Sequence, residues 1–171
     1  MFRITTDRLI LLPLTMTHLE TGLNSTRVLS NGLGIRLTSH LFEGVVERAV
    51  KLKLEKMSAV EVKEHFWFTY WLIVIKQEEV GVGLVGFKGL PNARGEVEIG
   101  YGIGEEYQGQ GYMSEAVQAL IKWAFGHPEC RAVTATGVKI DNFASQKVLK
   151  HAGFSIIEER DALLNFRLDR P

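Results

Sequence analysis

Residues 96–113 read Glu-Val-Glu-Ile-Gly-Tyr-Gly-Ile-Gly-Glu-Glu-Tyr-Gln-Gly-Gln-Gly-Tyr-Met. A run suited to a strand ends at Ile103, a glycine-rich turn follows, and an amphipathic helix begins near Gly111. The first turn of any helix carries backbone N–H groups without partners, and its aligned peptide dipoles place about half a positive charge there. Gly109 and Gly111 present no side chain, so a phosphate can come close to that backbone. The stretch therefore predicts a diphosphate cradle.

Outward from this segment the pattern remains that of one mixed domain. The helix after the cradle, Tyr112 to Phe125, sets Met113, Ala116, Val117, Leu120, Ile121 and Ala124 on one face and is stopped by Gly126 and Pro128. Arg131–Val138 then reads as a strand, Asn142–Ala152 as a helix closed by Gly153, Phe154–Glu159 as a strand and Leu163–Leu168 as a last antiparallel strand. Towards the N-terminus, Arg8–Leu14 is a first strand, and Thr15 or Thr17 caps a helix. Residues 22–41, with Gly22, Asn24, Asn31, Gly32 and Gly34, read as broken turns and loop. Near-helical spacing covers Phe42–Lys56, and Ser58 with Glu61 has the spacing of a capping box for a further short helix. Phe68–Lys76 and Val80–Lys88 read as a hairpin around a turn at Gln77–Glu79.

With 171 residues, the chain fits a single domain spanning 1–171, large enough to bury roughly 70% of its unfolded surface. Lys plus Arg and Asp plus Glu both number 20, so no bulk charge draws the chain to nucleic acid or to an anionic membrane. A small anionic ligand needs only a local positive site. Cys130 is the sole cysteine, which excludes an intrachain disulfide and a cysteine-rich metal cage, and His18, His40, His65, His127 and His151 show no metal-ligand spacing. No apolar run approaches the ~20 residues of a membrane helix. The opening residues lack the layout of a signal peptide, so the expectation is a cytoplasmic protein with no metal, no nucleic-acid partner and no membrane partner, as a monomer or homodimer.

Gln108-Gly109-Gln110-Gly111-Tyr112, then Asp141-Asn142-Phe143-Ala144-Ser145, then Leu149-Lys150-His151-Ala152-Gly153-Phe154, resemble in order the GNAT superfamily of acetyl-CoA-dependent N-acetyltransferases. Thr6-Asp7-Arg8-Leu9-Ile10-Leu11 and Glu98-Ile99-Gly100-Tyr101 are similar to its branch of ribosomal-protein N-terminal acetyltransferases. The resemblance runs from about residue 5 to 159. It implies an α/β (α+β) fold with a mixed, mostly antiparallel central sheet flanked by helices, and a splayed strand pair that binds acetyl-CoA. It further implies that Gln108, Gly109, Gln110, Gly111, Tyr112 and Met113 hold the diphosphate, that backbone at Ile103 pairs with the pantetheine arm like an added strand, and that Asn142 bonds the pantetheine amides. The sequence departs from the family pattern at Met113, where the cradle has Gly or Ala, at Leu12 for arginine, at Gly102 for tryptophan, and at Leu149 for the usual catalytic tyrosine.

Acetyl transfer needs a neutral amine and a proton for the departing thiolate. An α-amino group, with a pKa near 8, is partly neutral at pH 7, so a modest base suffices. Glu98 is the candidate base, acting through water; its alternative use is a structural ion pair. Strand alternation puts Glu96, Glu98, Gly100 and Gly102 on one face, which the two glycines leave open. Ser145 is the candidate proton donor by resemblance, with Tyr107 and Tyr101 behind it. The partners expected are acetyl-CoA and an amine acceptor, either a protein N-terminus or a small molecule. The rival reading is a non-catalytic acyl-CoA-binding module.

Overall fold

The computed structural model describes residues 2–171. In chain order the strands are β1 (Ile4–Thr5), β2 (Leu9–Pro13), β3 (Arg36–Leu37), β4 (Trp71–Ile75), β5 (Val80–Phe87), β6 (Glu96–Ile103), β7 (Ala132–Lys139), β8 (Ser155–Arg160) and β9 (Leu163–Asp169). The helices are α1 (Met16–Asn24), α2 (Thr26–Leu33), α3 (Val45–Ser58), α4 (His65–Phe68), α5 (Tyr112–Phe125) and α6 (Phe143–His151). The sheet runs β1-β2-β4-β5-β6-β7-β9-β8, with β3 beside β5. Pairing is antiparallel apart from β3–β5 and β6–β7. The mixed, mostly antiparallel sheet flanked by helices is thus the one the family resemblance implies.

Two cores sit on opposite faces of this sheet, divided by strand alternation. Trp71, Ile73 and Ile75 of β4 join Val97 and Ile99 of β6 and the apolar face of α5 in one. Leu72 and Val74 of the same strand join Leu12, Leu84, Val50 and Met57 in the other, under α1, α2 and α3. All five residues of β4 are buried, as a continuous apolar run flanked by helices requires. Helix α5 contributes six buried side chains, including Leu120 and Ala116 at full burial, and at about 1.5–3 kcal/mol per large apolar residue it is a principal anchor of its face.

Three local expectations are corrected. Residues 22–41 hold α2 and β3 instead of broken turns, because Ser25 accepts from the Val28 N–H at 3.3 Å and Gly34, at φ +65°, closes the helix. Gly22 lies inside α1; a Cβ there would come within 2.7 Å of the Phe42 ring, so its smallness serves packing. No helix starts at Ser58: α3 continues through it, its hydroxyl donates back to the Glu55 carbonyl at 2.7 Å, and the capping box is formed by Glu61 and Glu64. The strand expected from Phe68 begins at Trp71, since residues 65–68 coil to pack Trp67 on Trp123, with ring centroids 4.7 Å apart. Thr15, not Thr17, caps α1 through His18.

Candidate functional site

Strands β6 and β7 pair only from Glu96↔Ala132 to Glu98↔Thr134. Beyond Glu98 they part, and β7 meets β9 with a register shift between Ala135 and Val138 where Gly137 takes φ +67°. The divergence opens a cavity of about 890 Å³, within the range of ligand sites. Its walls come from Tyr101, Gly102 and Ile103 of β6, the loop before α5, and one face of α6. The β7-facing backbone of β6 above Glu98 is left without a strand partner, an edge that a pantetheine arm can join.

The loop supplies what a diphosphate needs. Gly109 and Gly111 adopt φ +73° and +82°, and a Cβ at Gly109 would meet nothing within 4 Å. Gly111 is the N-cap of α5 and gives it no side-chain cap, so the first-turn N–H groups at the cavity rim have no side-chain partner. Gln108, Gly109, Gln110, Gly111 and Met113 all line the cavity. Met113 turns its side chain into the core, 6% exposed, which accommodates its departure from Gly or Ala. Tyr112 does not line the cavity; its ring lies 4.6 Å beneath the Arg8 guanidinium.

Asn142 and Ser145 sit on the opposite wall. The Asn142 Oδ1 accepts from the Ser145 N–H at 3.1 Å, which caps α6 and leaves the amide Nδ2 for another partner. The Ser145 hydroxyl is 2.9 Å from the Tyr101 hydroxyl. Burial pushes the Tyr101 phenol up to about 12, against a smaller opposing pull from Ser145. The pair therefore keeps its protons through the neutral range.

Glu98 stands apart from the cavity lining, at the vertex where β6 and β7 separate. Its Oε1 accepts from the Lys88 ammonium and, at 2.7 Å, from the Thr136 hydroxyl, while Oε2 has no partner among the described residues. At a rise of ~3.3 Å per residue it lies roughly 10 Å along the strand from Tyr101, which strand alternation turns to the opposite face of the sheet. The face it shares with Gly100 and Gly102 is open: a Cβ at either glycine would meet nothing within 4 Å. Leu149 is fully buried, and Leu12 packs in the second core.

Sequence reasoning did not assign Thr6, Arg8 and Glu115 to the site, nor Lys147 and His151, which line the cavity from α6. Helical spacing of Ala144, Lys147, Val148 and His151 could have revealed the latter pair. Among the described residues no group of three or more His, Cys, Asp or Glu is placed to hold a metal, and no helix is long and apolar enough to cross a membrane.

Residues 8–155 match the family model described as an acetyltransferase (GNAT) domain. An uncharacterised N-acetyltransferase, YjdG, of Bacillus subtilis (strain 168) is 39% identical over 87 residues, 51% of each chain. The ribosomal-protein-serine acetyltransferase of Escherichia coli (strain K12) is 33% identical over 82 residues, 48% of this chain and 45% of its own. The matched stretches thus cover about half the length of these curated relatives. Among solved structures, RimL, a ribosomal L7/L12 α-N-protein acetyltransferase in complex with coenzyme A, superposes with a TM-score of 0.68 at 18% identity, covering 98% of both chains. The ribosomal-protein-S5-alanine acetyltransferase of Vibrio fischeri gives 0.67 at 22% identity, covering 99% and 97%. At such identities these two structures speak for the fold.

Proposed function

The chain belongs to the acetyltransferase (GNAT) domain family, and from that premise we propose that it transfers an acetyl group from acetyl-CoA to a primary amine by direct attack in a ternary complex. The observation that carries the reading is the opening between β6 and β7 with an uncapped, glycine-lined helix start at its rim. The diphosphate rests on the N–H groups of Gln108–Met113, and the pantetheine arm runs along β6 to Ile103 with Asn142 donating from its Nδ2. Glu98 takes the proton of the incoming amine through water at Oε2 as the C–N bond forms. The thioester C–S bond breaks, and the Tyr101–Ser145 hydroxyl pair returns a proton to the sulfur. The leaving thiol, with a pKa near 8.5, asks little of that donor.

Direct attack is supported by the state of Cys130, whose thiol burial pushes up to about 11, with Glu129 adding to the rise. A thiol so protonated is a poor nucleophile for a covalent acetyl intermediate. The acceptor class we propose is the α-amino group of a protein N-terminus. The support is the names of the relatives, an associational warrant, together with the open face beyond Gly100 and Gly102.

Glu98→Gln tests the assignment. Thiol release with an N-terminal peptide panel should fall about 10²-fold or more in kcat at neutral pH, with CoA affinity by calorimetry unchanged. Undiminished turnover removes Glu98 as base. A wild-type protein that binds CoA and acetylates no amine in the panel favours the acyl-CoA-binding module.

A further inference from the structure

In the loop read as the diphosphate cradle, Gln108–Gly111 are exposed, and the loop holds itself only lightly. Its internal side-chain contacts are Gln110 Nε2 to the Glu106 carbonyl at 3.2 Å and Gln108 Nε2 to the Ile103 carbonyl at 3.4 Å. A cradle built from backbone N–H groups works only if the peptides are already oriented before the ligand arrives. The order comes from elsewhere in the chain. Arg8, just ahead of β2 and 102 positions earlier than its loop partner, donates Nη1 to the Gln110 carbonyl at 2.9 Å. Its Nε donates to Glu115 Oε2 at 2.6 Å, and its guanidinium covers the Tyr112 ring. Nη2 lies so near the loop that a Cβ on Gly111 would sit 3.2 Å from it. Glu115 is held in turn by the Thr6 hydroxyl at 2.6 Å and the Arg8 N–H at 2.9 Å.

We propose that Arg8 is a positioning residue for the coenzyme: it orients the Gln110–Gly111 peptide towards the diphosphate and offsets the one carboxylate in the first turn of α5. In a planar trans peptide the carbonyl and the following N–H point in opposite directions. Anchoring the Gln110 carbonyl on Arg8 therefore turns the Gly111 N–H away from Arg8. Gln110 and Gly111 line the cavity and Arg8 does not, so the far side is the ligand side. Glu115 would repel a bound diphosphate; the Arg8 fork neutralises it while reaching the loop with another nitrogen. A lysine, with one nitrogen on a flexible stem, cannot hold both partners in this geometry.

The inference rests on the diphosphate reading of the loop, so the test separates the two. Calorimetry compares coenzyme A with pantetheine, which lacks the diphosphate, on the wild type, Arg8→Met, Arg8→Lys and Glu115→Gln. A wild type that binds both equally overturns the loop assignment and this inference with it. Where the wild type prefers CoA, Arg8→Met should lose about tenfold in CoA affinity while pantetheine affinity changes less than about twofold. Arg8→Lys should recover little of the loss, and Glu115→Gln should keep CoA affinity within about threefold. Unchanged CoA affinity in Arg8→Met, an equal fall for both ligands, or full recovery in Arg8→Lys overturns the proposal. Should Arg8→Met not fold, the CoA-to-pantetheine ratio of Arg8→Lys decides the matter in the same way.

Discussion

Lys53 is the most exposed to test of all the buried groups, because its burial sets a pH dependence with a definite sign. It projects from α3 with 7% of its surface accessible, donates Nζ to the Phe68 carbonyl at 2.9 Å and the Phe87 carbonyl at 2.6 Å, and lies 4.3 Å from the Tyr70 ring centroid. It thereby joins α3 to the end of β5, next to the Lys88 that pairs with Glu98. Burial, with Lys56 and Lys88 adding repulsion, lowers its pKa from 10.5 to about 7. The folded pKa is depressed, so between about pH 7 and 10.5 the unfolded chain binds more protons than the folded one, and stability rises with pH across that window. Integrated from pH 7 to 9, the gain is about 2 kcal/mol, or roughly 4–8 °C in Tm for a chain of this size. Lys53→Met keeps the apolar stem, removes the titration, and leaves two carbonyls without their donor, at a cost of about 1–3 kcal/mol each when buried. The slope with pH, and not the absolute stability of either protein, is therefore the diagnostic. Urea unfolding at intervals from pH 7 to 9 should show the wild type gaining on Lys53→Met by about 2 kcal/mol. Above that range Cys130 and Tyr101, with thiol and phenol raised to about 11 and about 12, act in the opposite sense in both proteins. Parallel curves for the two proteins between pH 7 and 9 would refute the argument.

Two further outcomes test the site. Tyr101→Phe and Ser145→Ala should each lower kcat about tenfold, below the ~10²–10⁴ typical of more demanding proton transfers, with CoA affinity retained. The double variant should be no slower than either, because the two hydroxyls share one hydrogen bond, and additive losses would separate their roles. Gly100→Leu places a side chain where a Cβ meets nothing within 4 Å, so it should fold normally, bind CoA as before, and lose about tenfold or more in kcat/KM for the acceptor. Gly83→Ala is the contrast: its Cβ would stand 2.5 Å from the Gly102 carbonyl, and thermal melting should show a loss of about 1–3 kcal/mol. An acceptor kcat/KM untouched by Gly100→Leu would mean that the acceptor approaches from elsewhere.

Much of the architecture was legible because it is written in local periodicity and punctuation. Helix α5 begins and ends where its apolar face, Gly111, Gly126 and Pro128 put it, since a 3.6-residue repeat and a left-handed start are properties of neighbouring residues. The glycines of the loop before α5 were equally plain, because a positive φ favours a residue without Cβ. The same local logic misread residues 22–41, where Gly22 answers to the Phe42 ring, a partner 20 positions away. It also misread residues 68–70, because the Phe66 and Trp67 that precede them coil into an aromatic cluster completed by Trp123.

Chain order alone predicted the kinds of element, the glycine-lined helix start and the face on which Glu98, Gly100 and Gly102 lie, since backbone conformation and side-chain alternation depend on near neighbours. Only the folded molecule decided that β6 and β7 part above Glu98, that Lys88 and Thr136 claim one oxygen of its carboxylate, and that Arg8 reaches Gln110 and Glu115. Those contacts join residues up to 107 positions apart. No pattern within a window of sequence encodes them, because they arise where independently packed strands and helices come to share a boundary.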